Sequence, residues 1–556
     1  MSSPGPIERR IGLLFGFFLV LLLLAAGRAA WLGVVRGGSL GERARSQQVS
    51  DVAVPARRGS ILDRKGVELA VSQTAADVAA NPYLVKDKAR TAALVAPLLR
   101  RDVPSVLRDL NQRGTGFVYL ARGVPAARAR KLQKLELPGF SFEPASRRTY
   151  PQDWLASQLL GTVGTDGGGL DGIEFAKDRV LEGRDGERRI VRDALGKAIE
   201  LRDLRRAQAG RSLQLTIDSS IQERVEQVLQ QVGEEYSPKG STAMVTDPRS
   251  GEILALANWP RVDANDVKSA PAYARQNRAA GAAYEPGSTF KPFTVAGAIE
   301  DGAVTPTTSF DLAPEIDVAD RTIGENEERG FVTLTTAQIL SQSSNVGAIT
   351  IGMKLGERGF DRWVRRFGFG SETGSDLPGE AAGIVPALKE YSGSSIGNLP
   401  IGHGLAVTPV QLAAAYGAIA NGGLLIAPHV VREVAGRPVR PRRGRRVISA
   451  RTAAEVRDML RGVVGPEGTA EAAAIRGYEL GGKTGTANKP DPATGGYSDT
   501  RYVASFVGFA PASRPRVLIT VAVDEPQGDI YGGSVAAPAF QKIARFVLPY
   551  LRVPPR

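Results

Sequence analysis

The sequence predicts an α+β protein with one N-terminal apolar helix, an α+β module, and a larger domain built as an antiparallel sheet flanked by helices. Three observations carry this. One apolar run opens the chain. The texture changes near Ser212, where strand-like and helical segments become regular. Within that second part, strands are bracketed by helices at both ends, which suits one sheet with helices on its faces. A chain of 556 residues with 42% hydrophobic content is long and apolar enough for several folded units.

Residues 1–10 are polar and end in Arg9-Arg10. Residues 11–27 are dominated by Leu, Phe and Ala, with Arg28 and a milder stretch to Val35 behind them. Small residues at Ala25-Ala26 resemble a signal-peptide cleavage site. The run is long for a signal-peptide core, and about 17 helical residues nearly cross a hydrocarbon layer, which favours an uncleaved transmembrane anchor over 11–35. Arg28 would snorkel to the outer interface. The two leading arginines would hold residues 1–10 as a cytoplasmic tail and put everything after about Arg36 outside.

Composition removes several function classes. The chain has no cysteine, so disulfides, thiolate catalysis and cysteine metal sites are excluded. The two histidines, His403 and His429, sit in no recognisable nucleophile context, and nothing calls for a metal or cofactor. The net charge of +13 would attract anionic lipid or polymer, but an Arg-rich solvated surface accounts for it more simply. Basic residues do not alternate with aromatics, so nucleic acid is a poor fit. The densest basic run, residues 437–446, contains Pro and Gly and reads as a loop.

In chain order, Asp63-Arg64-Lys65-Gly66 reads as a turn between two short strands. Residues 91–110, 125–135 and 155–160 have helical spacing, and 161–172 is Gly-rich. No nucleophile and base occur together there, so 49–201 is read as a non-catalytic α+β pedestal, with 202–209 as a charged connector. Residues 212–551 then form the second domain. Its strands are expected at 213–217, 241–246, 252–257, 479–488, 502–509 and 516–523. Its helices are expected at 219–232, 335–341, 408–420 and 537–551.

The chemistry-bearing stretch is Glu285-Pro286-Gly287-Ser288-Thr289-Phe290-Lys291-Pro292. A helix from 288 to about 300, stopping at Gly302, puts the Ser288 hydroxyl and the Lys291 amine on one face, one turn apart. Ser288 would lie at the positive end of the helix dipole, and an amine able to take its proton makes a serine a usable nucleophile. Alone, S-x-x-K is weak. Two further motifs follow: Ser343-Ser344-Asn345, and Lys483-Thr484-Gly485-Thr486 on a predicted strand. Lys291 must be neutral to act, which partial burial and a second ammonium, Lys483, would both favour. Ser343 can relay a proton, and the Asn345 amide can hold a lysine and a substrate carbonyl. Gly485 would leave a strand edge bare for an added peptide, with Thr486 and Lys483 taking a carboxylate. The N–H groups of Ser288 and Thr486 can form an oxyanion hole. Separately, each residue has an ordinary reading: Asn345 as a helix cap, Lys483 as an edge-strand charge, Gly485 as a bulge.

In this order the three motifs are the signature of penicillin-binding proteins and class A β-lactamases. The chain resembles the class B penicillin-binding proteins, most closely the cell-division (FtsI) type. The likeness extends to residues 58–64 (Arg-Gly-Ser-Ile-Leu-Asp-Arg), 148–151 (Arg-Thr-Tyr-Pro), 276–278 (Gln-Asn-Arg), 404–409 (Gly-Leu-Ala-Val-Thr-Pro) and 524–527 (Asp-Glu-Pro-Gln). It implies a membrane anchor, a pedestal (the dimerisation domain of that family) and a transpeptidase fold. It also implies Ser288 as acyl-ester nucleophile, Lys291 as general base, Ser343, Asn345 and Lys483 as catalytic partners, and Thr484, Gly485 and Thr486 as substrate-binding. The implied reaction cross-links peptidoglycan stem peptides at D-Ala–D-Ala during septal synthesis, with β-lactams as inhibitors. Implied partners are a polytopic glycosyltransferase of the FtsW type and other division proteins, at the inner membrane. Two details depart from the pattern: S-S-N stands for S-D-N, and His403 stands where Gln or Tyr is more familiar, so His403 is given no role.

Other readings carry the same motifs. A β-lactamase would need an E-x-x-L-N segment, which the chain lacks. A β-lactam sensor would need a signalling domain, and a bifunctional protein a longer N-terminal glycosyltransferase. A catalytically idle division scaffold predicts that Ser288→Ala is harmless. The two class B branches, division and elongation, share all three motifs.

Overall fold

The computed structural model describes residues 6–34, 49–192, 198–440, 443–491 and 493–555. Helix Pro6–Val34 is followed by the pedestal and then the larger domain. Its segment Arg10–Val34 has a mean hydropathy of 2.3 and buries none of its side chains against protein. At 1.5 Å per residue that is about 37 Å of apolar helix, long enough to cross a bilayer core. Residues 1–5 and Val35 of the expected tail and anchor lie outside the described residues.

In the pedestal, strand Glu68–Ala80 pairs antiparallel with Val118–Pro125 and Phe140–Thr149. Val78, Val95, Leu99, Val106, Leu110 and Leu132 form the core against it. The apolar spacing of 91–110 is one run in sequence but two helices in the fold, Lys88–Leu99 and Val103–Leu110. Arg100 turns left-handed (φ 54°) and Asp102 caps the second helix at Ser105 N, so the chain restarts there. The expected connector at 202–209 is corrected in its first half: strand Ala198–Arg205 runs into it as far as Arg205 and completes a three-stranded sheet with Gly186–Arg192 and Val49–Val54. The first two residues of that connector pair in this strand, Arg202 with Arg189 and Asp203 with Arg188.

The phrases at 58–64 and 148–151 meet on one buried carboxylate. Glu174 is fully buried and accepts from Arg58 Nε at 2.6 Å and Arg148 Nε at 2.7 Å. Arg58 also reaches Asp178 at 2.7 Å, and Arg148 Nη1 donates to Gly59 O at 2.8 Å. Three elements far apart in sequence are thereby held at one point. The strand expected at 213–217 is Leu213–Leu215, and it does not join the main sheet. It runs parallel to Ile61–Leu62 and antiparallel to Val431–Val434, so pedestal and larger domain share a sheet.

The larger domain is built on five antiparallel strands in the order Ile253–Trp259, Gly240–Thr246, Val517–Asp524, Gly496–Ala510, Gly481–Asp491. Helices Ser219–Tyr236 and Ala536–Tyr550 pack together against the sheet. Helix Pro409–Ala420 is buried at every residue, with Thr408 as cap in a reciprocal capping box with Gln411. Phe290, Phe293, Phe367, Phe369 and Tyr416 pack with ring centroids 5.0–5.5 Å apart, tying the Lys291–Glu300 helix into this core.

Replacing Glu174 by Ala strands two buried guanidinium groups, which costs about 3–5 kcal/mol for a buried pair broken on one side. The expected result is a lower melting temperature for the pedestal by calorimetry; an unchanged melt contradicts this account.

Candidate active site

Ser288 lies in a single 3₁₀ turn, Gly287–Phe290, and Lys291 opens the α-helix Lys291–Glu300. The sequence reads one continuous helix from 288. Pro292 explains the difference: it has no N–H to offer the Ser288 carbonyl, so Lys291 N bonds Ser288 O instead, closing a tighter turn. Gly287 (φ 53°) makes the preceding bend, and Tyr416 Oη donates to Thr289 O at 2.6 Å from below. Ser288 is 9% exposed, while Lys291 and Lys483 are fully buried.

The three motifs converge on Ser343. Lys291 Nζ donates to Ser343 O at 2.5 Å and Asn345 Oδ1 at 2.7 Å, and lies 3.4 Å from Ser343 Oγ. Lys483 Nζ donates to the same Ser343 Oγ at 2.8 Å. One hydroxyl therefore stands between two lysine amines. Ser343 adopts a left-handed backbone (φ 63°), unusual for a residue with a side chain, and this turns its carbonyl and its hydroxyl toward the lysines. Ser344 caps helix Asn345–Arg366 by accepting from Gly347 N at 3.0 Å. Asn345 begins that helix rather than capping it. Its amide N–H groups go to Gly324 O at 3.1 Å and Asn326 Oδ1 at 3.2 Å, so the expected substrate carbonyl competes with Asn326.

Burial pulls the Lys291 amine down to about 7, opposed in part by the Glu325 carboxylate. Lys483 is also driven well below the ordinary lysine value, first by burial and then by the charge of Lys291. Burial is thus the larger cause at both lysines; the ammonium effect acts from Lys291 on Lys483, and Lys483 is not among the causes that lower Lys291 as the sequence reading expected.

Lys483, Thr484, Gly485 and Thr486 lie on the edge strand, paired with Val507, Phe506, Ser505 and Ala504. Gly485 is glycine for a reason the sequence does not reveal. A Cβ there would sit 2.5 Å from Ser505 Oγ of the paired strand, 2.8 Å from Pro286 O and 2.9 Å from Thr289 Cγ2. The bare position receives the nucleophile turn from within the domain. Thr484 Oγ1 is 2.7 Å from Thr469 Oγ1, and Thr486 Oγ1 accepts from Gly532 N at 3.0 Å, which leaves the Thr486 hydroxyl proton available to a ligand.

Two carboxylates escaped the sequence reading. Glu325 accepts from Ser344 Oγ and Asn345 N, both at 2.6 Å, and pairs with Arg329. It sits at the positive end of the Asn345–Arg366 helix and fixes the S-x-N turn. Glu285 accepts from Gly404 N and Tyr497 Oη, both at 3.2 Å, and lies 3.0 Å from His403 Nδ1. His403 packs edge-to-face on Tyr497, whose phenol is pushed up by burial and by Glu285. Glu285 adjoins the S-x-x-K motif and was a findable candidate; Glu325 stands on a loop with no spacing signal. Among the described residues no cluster of three or more His, Asp or Glu is arranged to hold a metal ion.

A serine turn, two buried lysines and a sheet-edge K-T-G strand define a penicillin-binding transpeptidase. The penicillin-binding protein transpeptidase domain matches residues 241–545, and the penicillin-binding protein dimerisation domain matches 53–215. Penicillin-binding protein PbpB of Mycolicibacterium smegmatis is 35% identical over 100% of this chain and 92% of its own. Peptidoglycan D,D-transpeptidase FtsI of Escherichia coli is 34% identical over 99% of this chain and 93% of its own. The crystal structure of penicillin-binding protein 3 from Mycobacterium tuberculosis complexed with aztreonam superposes with a TM-score of 0.71 at 31% identity, covering 91% of this chain and 98% of that one. The chain belongs to the class B penicillin-binding proteins, in the cell-division group.

The Lys291 amine should titrate near 7 when followed by NMR of the isotopically labelled side chain. In Glu325→Gln the opposing carboxylate charge is gone, so the midpoint should move lower; an upward move contradicts the assignment.

Proposed function

We propose that this protein is a serine D,D-transpeptidase that cross-links peptidoglycan stem peptides during septal wall synthesis and is acylated by β-lactams. The observation that carries the reading is the single Ser343 hydroxyl set between Lys483 and Lys291, the latter one turn after Ser288. Neutral Lys291 takes the proton of Ser288 as Oγ attacks the D-Ala–D-Ala carbonyl. The N–H groups of Ser288 and Thr486 stabilise the oxyanion. The proton passes by way of Ser343 to the departing D-Ala amine, leaving an ester on Ser288. The amine of a neighbouring stem peptide then attacks the ester and Ser288 recovers its proton. Thr484, Gly485 and Thr486 hold the donor peptide, with Thr486 and Lys483 facing its carboxylate, and Asn345 orients Lys291. A β-lactam follows the same first step, with its opened ring kept on Ser288.

The same reading assigns residues 1–10 to a cytoplasmic tail, the helix from 11 to an inner-membrane anchor, 49–205 to the pedestal and 212–551 to an extracytoplasmic transpeptidase domain. The length and hydropathy of Arg10–Val34 and the arginines at 9 and 10 support it. A polytopic glycosyltransferase of the FtsW type is the partner that the family likeness suggests, through the pedestal.

A fluorescent penicillin should label the wild-type protein on Ser288 and leave Ser288→Ala unlabelled, by peptide mapping. Label on another residue or cross-linking by purified Ser288→Ala refutes Ser288 as the nucleophile, and intact septum formation in cells carrying only Ser288→Ala refutes the enzyme reading in favour of a scaffold. Because the reactive form of Lys291 is neutral, acylation should fall about tenfold per pH unit below about 7 and level off above it. A rate still climbing toward the ordinary lysine value of 10.5 would exclude Lys291 as the base.

A further inference from the structure

Within the basic run at 437–446 the described residues are all exposed, but its two ends pair as short strands rather than forming a loop throughout. Arg445 and Arg446 pair as a short strand with Leu425 and Leu424. Alternation along this strand sends residues 445 and 446 to opposite sides. Arg446 is used structurally, donating to Gly422 O at 2.9 Å. Arg443 and Arg445 instead line a hollow of about 300 Å³, with Arg365 from the last turn of helix Asn345–Arg366 on its opposite wall. Gly444 allows the approach, since a Cβ there would lie 2.8 Å from Ile426 Cγ1.

The hollow is built for an anion. Its floor includes the buried Phe367 and the half-buried Leu425, and one carboxylate, Glu372, lines its wall. Asp361 forms an ion pair with Arg365 through both Nε and Nη2 at 3.0 Å, and Pro386 O accepts from Nη2 at 2.9 Å, leaving Nη1 for a ligand. Arg445 Nη2 is fixed on Arg366 O at 2.8 Å. Arg443 and Arg445 have no carboxylate partner among the described residues. Two guanidinium groups are thus anchored by one edge, with donors left over, and a third stands free beside them. Planar forks arranged around one space suit a tetrahedral oxyanion with several acceptor oxygens better than a single carboxylate. The site lies at the end of the Asn345–Arg366 helix remote from Lys291 and takes no part in acyl transfer.

We propose that this hollow is a phosphate-binding site, taking a phosphate group carried on an anionic polymer or a lipid headgroup. The test uses the full-length chain in neutral phosphatidylcholine nanodiscs and reads protection of Arg443 and Arg445 from phenylglyoxal by peptide mapping. Pyrophosphate should protect both saturably, and sodium chloride at equal ionic strength should not. A soluble glycerol-phosphate polymer and nanodiscs containing phosphatidylglycerol then separate the sources: protection by the first alone means a polymer, by the second alone a lipid. The double variant Arg443→Ser/Arg445→Ser should bind pyrophosphate about tenfold more weakly, as expected for lost charge-assisted hydrogen bonds. Its fluorescent-penicillin labelling of Ser288 should be unchanged, which reports both folding and the transpeptidase reading separately. Absent protection, protection equally by chloride, or wild-type affinity in the double variant overturns the proposal.

Discussion

Two fully buried lysines that meet on one serine hydroxyl are the constraint to which the rest of the site answers. An isolated ammonium cannot be carried into a protein interior without large cost, so such groups shed their protons instead. Burial thus supplies the neutral amine that a serine nucleophile needs. The surroundings hold that amine in place without a direct ion pair. Its partners are a carbonyl and an amide oxygen, and the nearest carboxylate, Glu325, acts through the Ser344–Asn345 turn as well as through its charge. A direct carboxylate contact would have kept the lysine protonated and idle.

Geometry at this site is enforced by packing from several sides. The nucleophile turn is seated against Gly485 of the edge strand, tied from below by Tyr416 and continued into a helix whose phenylalanines fill the core. The 3₁₀ turn follows from Pro292, and the left-handed Ser343 is held by the bond from Lys291 to its carbonyl. Strain of this kind persists where the surroundings over-determine it, and the neighbouring helix cap, carboxylate and lysine do so here.

The pedestal is joined to this machinery by more than a covalent linker. Leu213–Leu215 lies between strands of both modules, so a shift in one is felt as a shift in shared backbone hydrogen bonds. Glu174 gathers Arg58 and Arg148 near the same junction, where Gly59 O accepts from Arg148. A rigid joint at that place suits a module that stands between an apolar N-terminal helix and a catalytic domain.

Much of this was legible in the residues. Hydrophobic periodicity and cap residues marked the five strands of the main sheet and the helices near 219, 291, 336, 409 and 536, because Thr408-Pro409 or a strand alternation acts within a few residues of itself, but not the helices Asn345–Arg366 and Ala450–Arg461. The identities of Ser288, Lys291, Ser343, Asn345 and Lys483 were visible as three short motifs. What they could not disclose depends on neighbours distant in the chain. The split at Arg100, the strand through Arg202, the destination of Leu213–Leu215 and the clamp by Glu325 are all decided by tertiary contacts. Gly485 shows the difference in one residue. Its type was written in the sequence, but the reason, the backbone of Pro286 nearly two hundred positions earlier, exists only once the chain has folded. The lysines likewise carry the same charge in any sequence; their readiness to give it up was set by the interior that closed around them.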